Sequence, residues 1–347
     1  MRESDSWEHD EVVTRLGKRS GVPITVAVHS RALGPAVGGA RLRQYPHWRD
    51  GVADALRLSS GMTYKCAAAG LPFGGGKSVL AVPADTPVTP ALRSALLADL
   101  GELIETFDGT YLTGPDVGTG PADMLALRQW TPHAFCLPEE HGGTGSSSGP
   151  TAAGVLAALR AGARSVFGGE SMAGRRAVVI GMGSVGSLIA GALSAAGAEV
   201  VVSDVDASRR GDFRWAEPDV APHLETDVLI PAAVGGVFGP STVVNAPLVV
   251  GPANNQLTSD SVADALARQG TVWIPDFVAS AGGVVYTLSR EFSGLDHTAA
   301  SAKVEQIETT TAGLLAAAAE AGTTPLNEAM ALVDRRLAQD RLAMAEG

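Results

Sequence analysis

The chain has 347 residues, 45% apolar and 18% charged, with a net charge of -11. That length is generous for one core and comfortable for two domains, and the composition is globular rather than disordered. An acidic balance without a basic stripe excludes nucleic acid as a partner, and no run approaches the roughly 20 apolar residues of a membrane helix. The polar start, Met1-Arg2-Glu3-Ser4-Asp5, carries no signal core. Cys66 and Cys136 are the only cysteines; two could form one bridge, but the expectation is free thiols of a cytoplasmic protein. No His-x-x-x-His or Cys-x-x-Cys spacing supports a metal site, and the histidines read as surface or loop residues.

In chain order, residues 22–29 alternate and are β-branched, which predicts a strand. Residues 50–60 have helical apolar spacing and lead into Gly61-Met62-Thr63-Tyr64-Lys65, Gly70-Leu71-Pro72-Phe73 and Gly74-Gly75-Gly76-Lys77. Both lysines sit among apolar or small residues, where cations are seldom placed without an anionic partner or a chemical task. Three glycines let a ligand or another backbone approach closely. The expectation is an apolar, glycine-lined recess with two ammonium groups, suited to chemistry on a small carboxylate. The plainer alternative is a tight turn with two surface lysines. A strand is predicted at 78–82, after the glycines, and a helix capped by Thr89 with Pro90 at its first position runs to about 107. A short strand at 109–113 is broken by Gly114-Pro115-Asp116, and a helix follows at 121–130. The Gly/Ser-rich stretch at 141–150 reads as a hinge lining a cleft, leading into a helix from Thr151.

From residue 175 strands and helices alternate, which predicts a mostly parallel sheet covered on both faces. Strands are expected at 176–180, 199–203, 228–230, 243–250 and 271–274, and alanine-rich helices after 297, broken at 322–325. Gly181-Met182-Gly183-Ser184-Val185-Gly186 follows the first of these strands and opens a helix, the context that a dinucleotide fingerprint requires. Gly181 permits the turn, Gly183 admits the pyrophosphate at the helix N-terminus and Gly186 lets helix and sheet pack closely. Asp204 ends the next strand, roughly 20 residues on, the spacing of a carboxylate that bonds the adenosine ribose and disfavours a 2′-phosphate. NAD is therefore expected over NADP, with Arg209 and Arg210 as the opposing signal. The alternative is a glycine-rich packing turn.

Further phrases complete a pattern: Gly34-Pro-Ala-Val-Gly-Gly-Ala-Arg41, Gly114-Pro-Asp116-Val-Gly-Thr119, Pro150-Thr151-Ala, Ala253-Asn254-Asn255-Gln256, Pro275-Asp276-Phe277-Val278 and Ala281-Gly282-Gly283. Together with the lysine phrases they resemble the leucine, valine and phenylalanine dehydrogenases of the glutamate dehydrogenase superfamily. The resemblance implies an α/β protein of two domains separated by a cleft. Residues 1–142 would bind substrate and oligomerise, with a helix of about 322–347 packing back on them, and 143–321 would form a Rossmann-type NAD-binding domain. It implies NAD-dependent, reversible deamination of an L-amino acid to a 2-oxo acid and ammonia, in a homo-oligomer (dimer or octamer). Lys65 would hold the substrate α-carboxylate, Lys77 activate water and Asp116 shuttle protons at the substrate nitrogen. Val37, Gly38, Gly39, Met62, Gly114, Asn255, Val278 and Ala281 would line the substrate site. Thr151, Asn254 and the turn residues Gly181, Gly183, Ser184, Val185 and Gly186, with Asp204, would hold the cofactor.

Glutamate-specific relatives carry a lysine near Val37, so an apolar substrate is expected. Gly114, where leucine-type relatives have alanine, makes room and leans towards a bulky or aromatic side chain, while Ala67-Ala-Ala-Gly resembles the branched-chain type. Ser280 stands where relatives have asparagine, Ala232 and Ala233 where they often have a cysteine, and 205–227 looks short enough to have lost a crossover helix. These departures keep two rivals open: a specialised biosynthetic oxidoreductase acting on a nonstandard amino acid or amine, and a non-catalytic nucleotide-binding scaffold.

Overall fold

The computed structural model describes residues 7–345, with side chains to 339. The polar start at 1–5, on which the expectation of no signal core rests, lies outside the described residues. The chain divides into two compact units, one running to residue 146 and resuming at 333, the other spanning 147–332.

The first unit contains β1 (Glu11–Leu16), β2 (Pro23–Ser30), β3 (Ala36–Tyr45), α1 (Trp48–Ala68), β4 (Gly74–Pro83), α2 (Pro90–Glu105), β5 (Tyr111–Pro115) and α3 (Pro121–Leu127). Its sheet has the order β1-β2-β4-β3-β5. β3 runs parallel to both β4 and β5, while β2 is antiparallel to β1 and β4. One face is sealed by α2 and α3 through Leu80, Leu96, Leu100, Ile104 and Met124. Ala27, Ala55, Val79 and Ala81 pack together on the other. β4 is buried along its length, as a strand covered on both faces must be.

Two expectations are corrected. Gly74, Gly75 and Gly76 do not form a loop ahead of a strand; they are its first residues. They are glycine because neighbours stand where side chains would be. An added Cβ would lie 2.0 Å from the Ser30 carbonyl at Gly74, 2.1 Å from the Thr63 nitrogen at Gly75 and 2.6 Å from the Tyr111 ring at Gly76. So the glycines admit the protein's own elements. β3 carried no expectation: Gly38 and Gly39 mask its strand pattern, yet a Cβ on Gly38 would lie 1.8 Å from the Gly76 carbonyl. His29 also departs from the surface-or-loop reading, since it lies on β2 and its Nδ1 is 2.9 Å from Thr63 Oγ1 of α1.

The second unit contains α4 (Ser148–Phe167), β6 (Arg176–Ile180), α5 (Ser184–Ala195), β7 (Glu199–Ser203), β8 (Arg214–Trp215), β9 (Val228–Pro231), β10 (Leu248–Val249), α6 (Ser261–Arg268), β11 (Val272–Trp273), α7 (Asp276–Ala279), α8 (Gly282–Glu291) and α9 (His297–Ala321), and α10 (Pro325–Ala345) starts in it. All strands run parallel in the order β11-β10-β9-β6-β7-β8. The chain therefore reverses its direction of winding at β6, and ligands of such sheets bind at the strand ends beside that point. The expected 243–250 strand contracts to Leu248–Val249. The 205–227 crossover contains two 3₁₀ turns and the two-residue β8, with no α-helix. α9 is tied to α4 by Arg160 Nε to Glu308 at 2.6 Å and Arg164 Nη2 to the same carboxylate at 2.5 Å.

Arg336 of α10 donates to the Ala67 and Ala68 carbonyls that end α1, a cation at the negative end of a helix. The break before α10 is Gly322, in the left-handed region at φ 63°.

Gly38→Ala is expected to cost about 1–3 kcal/mol or more, because the clash is with backbone. A fall in the thermal unfolding midpoint reads this, and an unchanged midpoint would contradict the packing described.

Candidate active site

The centre of the first unit is a chain of charges linking three strands and a helix. Lys77 Nζ of β4 lies 2.9 Å from Asp116 Oδ2, just beyond β5. Arg41 Nε of β3 lies 2.8 Å from the same oxygen. Arg41 Nη1 bonds Asp54 Oδ2 of α1 at 2.9 Å, and Asp54 also accepts from Tyr45 at 2.8 Å and Arg57 at 2.6 Å. The register explains the meeting. Gly39 lies opposite Gly114, and Ala40 lies opposite both Ser78 and Pro115, so Lys77 and Asp116 flank Gly39. A Cβ there would stand 2.7 Å from Asp116 Cβ and 3.3 Å from Lys77 Nζ. Gly39 is glycine so that the two charged groups can meet across it. The turn bearing Asp116 is fastened to β3: Thr119 Oγ1 donates to the Ala40 carbonyl at 2.7 Å and accepts from the Asp116 nitrogen at 3.0 Å.

Burial sets the electrostatics. Lys77 is 5% exposed. Desolvation pushes its pKa down, the Asp116 attraction opposes this, and Arg41 repels; the net direction is down. Desolvation would raise Asp116, but Lys77 and then Arg41 outweigh it and hold the carboxyl well below the usual carboxylate range. A lysine inclined to lose its proton beside a carboxylate held ionised can accept a proton and pass it on.

Lys65 is also buried, on the last turns of α1. The helix presses Thr63 against Gly75, two residues before Lys77. Met62 is part-exposed on the same helix, while Val37 is fully buried on β3. Gly38 packs on the Gly76 carbonyl. Gly114 brings a correction. The space that its missing methyl leaves is occupied by Phe135, whose ring atoms stand 2.6–3.2 Å from a Cβ placed there. The segment after α3 puts it there: Phe135 donates its backbone N–H to the Thr113 carbonyl at 2.9 Å, extending the sheet beside β5. The room inferred for a bulky substrate is filled by the protein's own ring.

In the second unit Gly181 has φ 106°, and a Cβ would lie 2.7 Å from the Ala233 nitrogen. A Cβ on Gly186 would lie 1.9 Å from the Gly181 carbonyl. Gly183, which caps α5, has no atom within 4 Å of that position. Two glycines are thus required by the fold, whereas the third faces open space at a helix N-terminus, where an anion is favoured. Exposed Ser184 accepts from Ser148 Oγ of α4 at 3.0 Å, and Val185 is half-buried. Asp204 accepts from the Met182 nitrogen at 2.7 Å and the Asp206 nitrogen at 2.9 Å. Its side chain is 8% exposed, with Arg209 Nη1 at 3.8 Å. It fastens the glycine turn to the end of β7.

Asn255 is held in the left-handed region at φ 53°, and Asn254 precedes it. Gln256, fully buried, locks this loop. Its amide donates to the Gly251 and Ala253 carbonyls at 2.9 and 3.0 Å and accepts from Trp273 at 2.9 Å. Its backbone N–H meets Asp276 at 2.7 Å. Ser280 Oγ donates to the Asp276 carbonyl at 2.6 Å, next to buried Val278 and Ala281. Thr151 on α4 stands 2.5 Å from a Cβ built on Gly283, so Thr151 meets the Ala281-Gly282-Gly283 phrase. Sequence reasoning missed Asp54, Phe135 and the locking role of Gln256. Arg41 closed a quoted phrase, but its bond to Asp116 depends on pairing between strands distant in sequence.

The Glu/Leu/Phe/Val dehydrogenase, dimerisation domain family matches residues 9–133. The chain is 37% identical to valine dehydrogenase of Streptomyces albus, over 97% of this chain and 94% of that one. It is 35% identical to phenylalanine dehydrogenase of Lysinibacillus sphaericus, over 80% of this chain and 75% of that one. Among solved structures, L-tryptophan dehydrogenase from Nostoc punctiforme aligns with a TM-score of 0.77 and 29% identity, covering 96% of this chain and 97% of that one. With its resemblance matched by sequence and by fold, the chain belongs to the Glu/Leu/Phe/Val dehydrogenase family and is an amino-acid dehydrogenase, an oxidoreductase.

Proposed function

We propose that the protein catalyses NAD-dependent, reversible oxidative deamination of an apolar L-amino acid to its 2-oxo acid and ammonia. The observation that carries this reading is the 2.9 Å contact of buried Lys77 with Asp116. Lys65 would hold the α-carboxylate by charge pairing. The bound nicotinamide supplies the hydride acceptor for the substrate Cα. Neutral Lys77 would then take a proton from water as its oxygen attacks the substrate imine carbon, and Asp116 would pass protons to and from the departing nitrogen. Thr151, Asn254 and Asn255 would orient the reacting groups. Gly183 fits a nucleotide because nothing of the protein's own fills the space beside it, and the α5 N-terminus would carry the pyrophosphate charge. Asp204 favours NAD by repelling a 2′-phosphate.

Buried Val37, without a charge to meet a distal carboxylate, supports an apolar side chain. With Phe135 filling the Gly114 niche, the lean to an aromatic substrate loses its main support. A valine- or leucine-sized side chain is the reading that fits this wall. Ser280 and the helix-free 205–227 crossover favour, as a second reading, a nonstandard amino acid of similar size. The Lys77–Asp116 pair counts against a scaffold, since buried charges are costly to keep without use. A homo-oligomer, dimer or octamer, fits the description of the matched segment as a dimerisation domain, and a cytoplasmic location fits two free cysteines. No helix among the described residues is long and apolar enough to cross a membrane.

A panel of L-amino acids with NAD at alkaline pH, read by absorbance of the reduced cofactor, tests the reaction. Valine or leucine is expected to be turned over, and Lys77→Ala to lose about 10²–10⁴-fold in rate while still binding NADH. Turnover of glutamate alone would contradict the apolar reading. Gly183→Ala is expected to leave the unfolding midpoint unchanged and to weaken NADH binding in a fluorescence titration; unchanged affinity would remove the turn from the nucleotide site. Phe135→Ala is expected to raise the phenylalanine-to-valine ratio of kcat/KM about tenfold, and an unchanged ratio would place Phe135 away from the substrate.

A further inference from the structure

The Arg41–Asp54 end of the charge chain has no part in the chemistry just described, yet it is built with more bonds than Lys77 itself. We propose that Arg41 is a positioning residue for the Lys77–Asp116 pair, a permanent cation that pins one oxygen of Asp116 against Lys77 and is itself anchored from behind by Asp54. This inference rests on the catalytic reading of Lys77 and Asp116.

The geometry carries it. Both cations bond Oδ2 of Asp116, at 2.8 and 2.9 Å, so one carboxylate oxygen takes both contacts. A guanidinium presents its donors in a rigid fork. Here Nε serves Asp116 and Nη1 serves Asp54, which fixes the plane of the group. Asp54 is held in turn by Tyr45 and Arg57. Arg41 is 9% exposed, and such a cation is tolerated only where its partners neutralise it.

Because Arg41 stays protonated at every working pH, Asp116 never faces Lys77 alone. The charged groups that act on Lys77 are Asp116 beyond β5, Arg41 from β3 and Asp54 from α1; Tyr45 and Arg57 bond Asp54, and Tyr111 of β5 feels Asp116. Burial pushes the Tyr111 hydroxyl up to about 12 and raises Tyr45 further, so both stay neutral. Arg41 repels the protonated form of Lys77, and Asp54 favours it. Removing Arg41 makes Lys77 keep its proton to higher pH. Removing the Asp54 charge does the reverse.

The experiment is the pH profile of kcat/KM for deamination of one apolar amino acid at saturating NAD, with the same substrate throughout so that its own titration cancels. In Arg41→Gln the rising limb is expected to move to higher pH by about one unit, and Arg41→Lys to recover most of that shift. In Asp54→Asn, which keeps Arg41, the limb is expected to move to lower pH, and this variant carries the test if Arg41→Gln does not fold. A limb that stays at the wild-type pH in these variants, with only a lower rate, would overturn the proposal and leave Arg41 a structural residue. Lys77→Ala separates the two readings. If it retains turnover, the catalytic assignment fails; if it is inactive and the limbs do not move, only the Arg41 proposal fails.

Discussion

An ammonium and a carboxylate meeting across a residue with no side chain is the constraint around which the first unit is built. Lys77 lies on β4 and Asp116 just beyond β5, two strands that are not paired with each other in the sheet; β3 lies between them. Their 2.9 Å contact exists only because Gly39 contributes no side chain there. The same economy of volume recurs at Gly38, Gly75 and Gly76, where α1, β4 and Tyr111 close on one another. Close packing of this kind removes water from the charged pair, and the loss of water biases Lys77 towards its neutral form. Packing and chemistry thus depend on the same glycines.

The pair is not isolated. Arg41 joins it to Asp54, and through Asp54 to buried Tyr45 of β3 and part-exposed Arg57 of α1. Buried ionic groups of this number are rarely worth their desolvation as stabilisers alone. Their arrangement, alternating in sign from Lys77 to Arg57, keeps each neighbour satisfied and fixes the outermost groups relative to the innermost. In the second unit the Asn255 loop is held mainly by a neutral side chain. Gln256 uses both amide hydrogens and its carbonyl to hold Asn255 in a backbone conformation that it would not otherwise favour.

Much of this was legible in the sequence because it is local. The βαβ alternation, the glycine turn after β6, the Thr89 cap and the reduced crossover after Asp204 all depend on residues close in the chain. The buried lysines were visible through their apolar neighbours. What was hidden depends on pairing between distant segments. Gly38 and Gly39 concealed β3, since nothing near them says that a carbonyl and an ammonium occupy the missing volume. Gly74 to Gly76 left open whether a ligand or another part of the chain came close; the occupants are Ser30, Thr63 and Tyr111. Gly114 promised room that Phe135, twenty-one residues on in sequence, takes up. A glycine announces that something comes close, and only the tertiary structure says what. Asp204, expected from its spacing to meet a ribose, is seen to brace the turn through Met182.

On the proposed reaction, the charge on Asp116, and not merely its shape, is what would make this buried pair a catalytic centre. Turnover of valine or leucine with NAD by Asp116→Asn tests it most directly, because the amide keeps the size of the side chain and removes the charge. A loss of at least about a hundredfold in kcat with NADH still bound is expected. Wild-type turnover in that variant would contradict it.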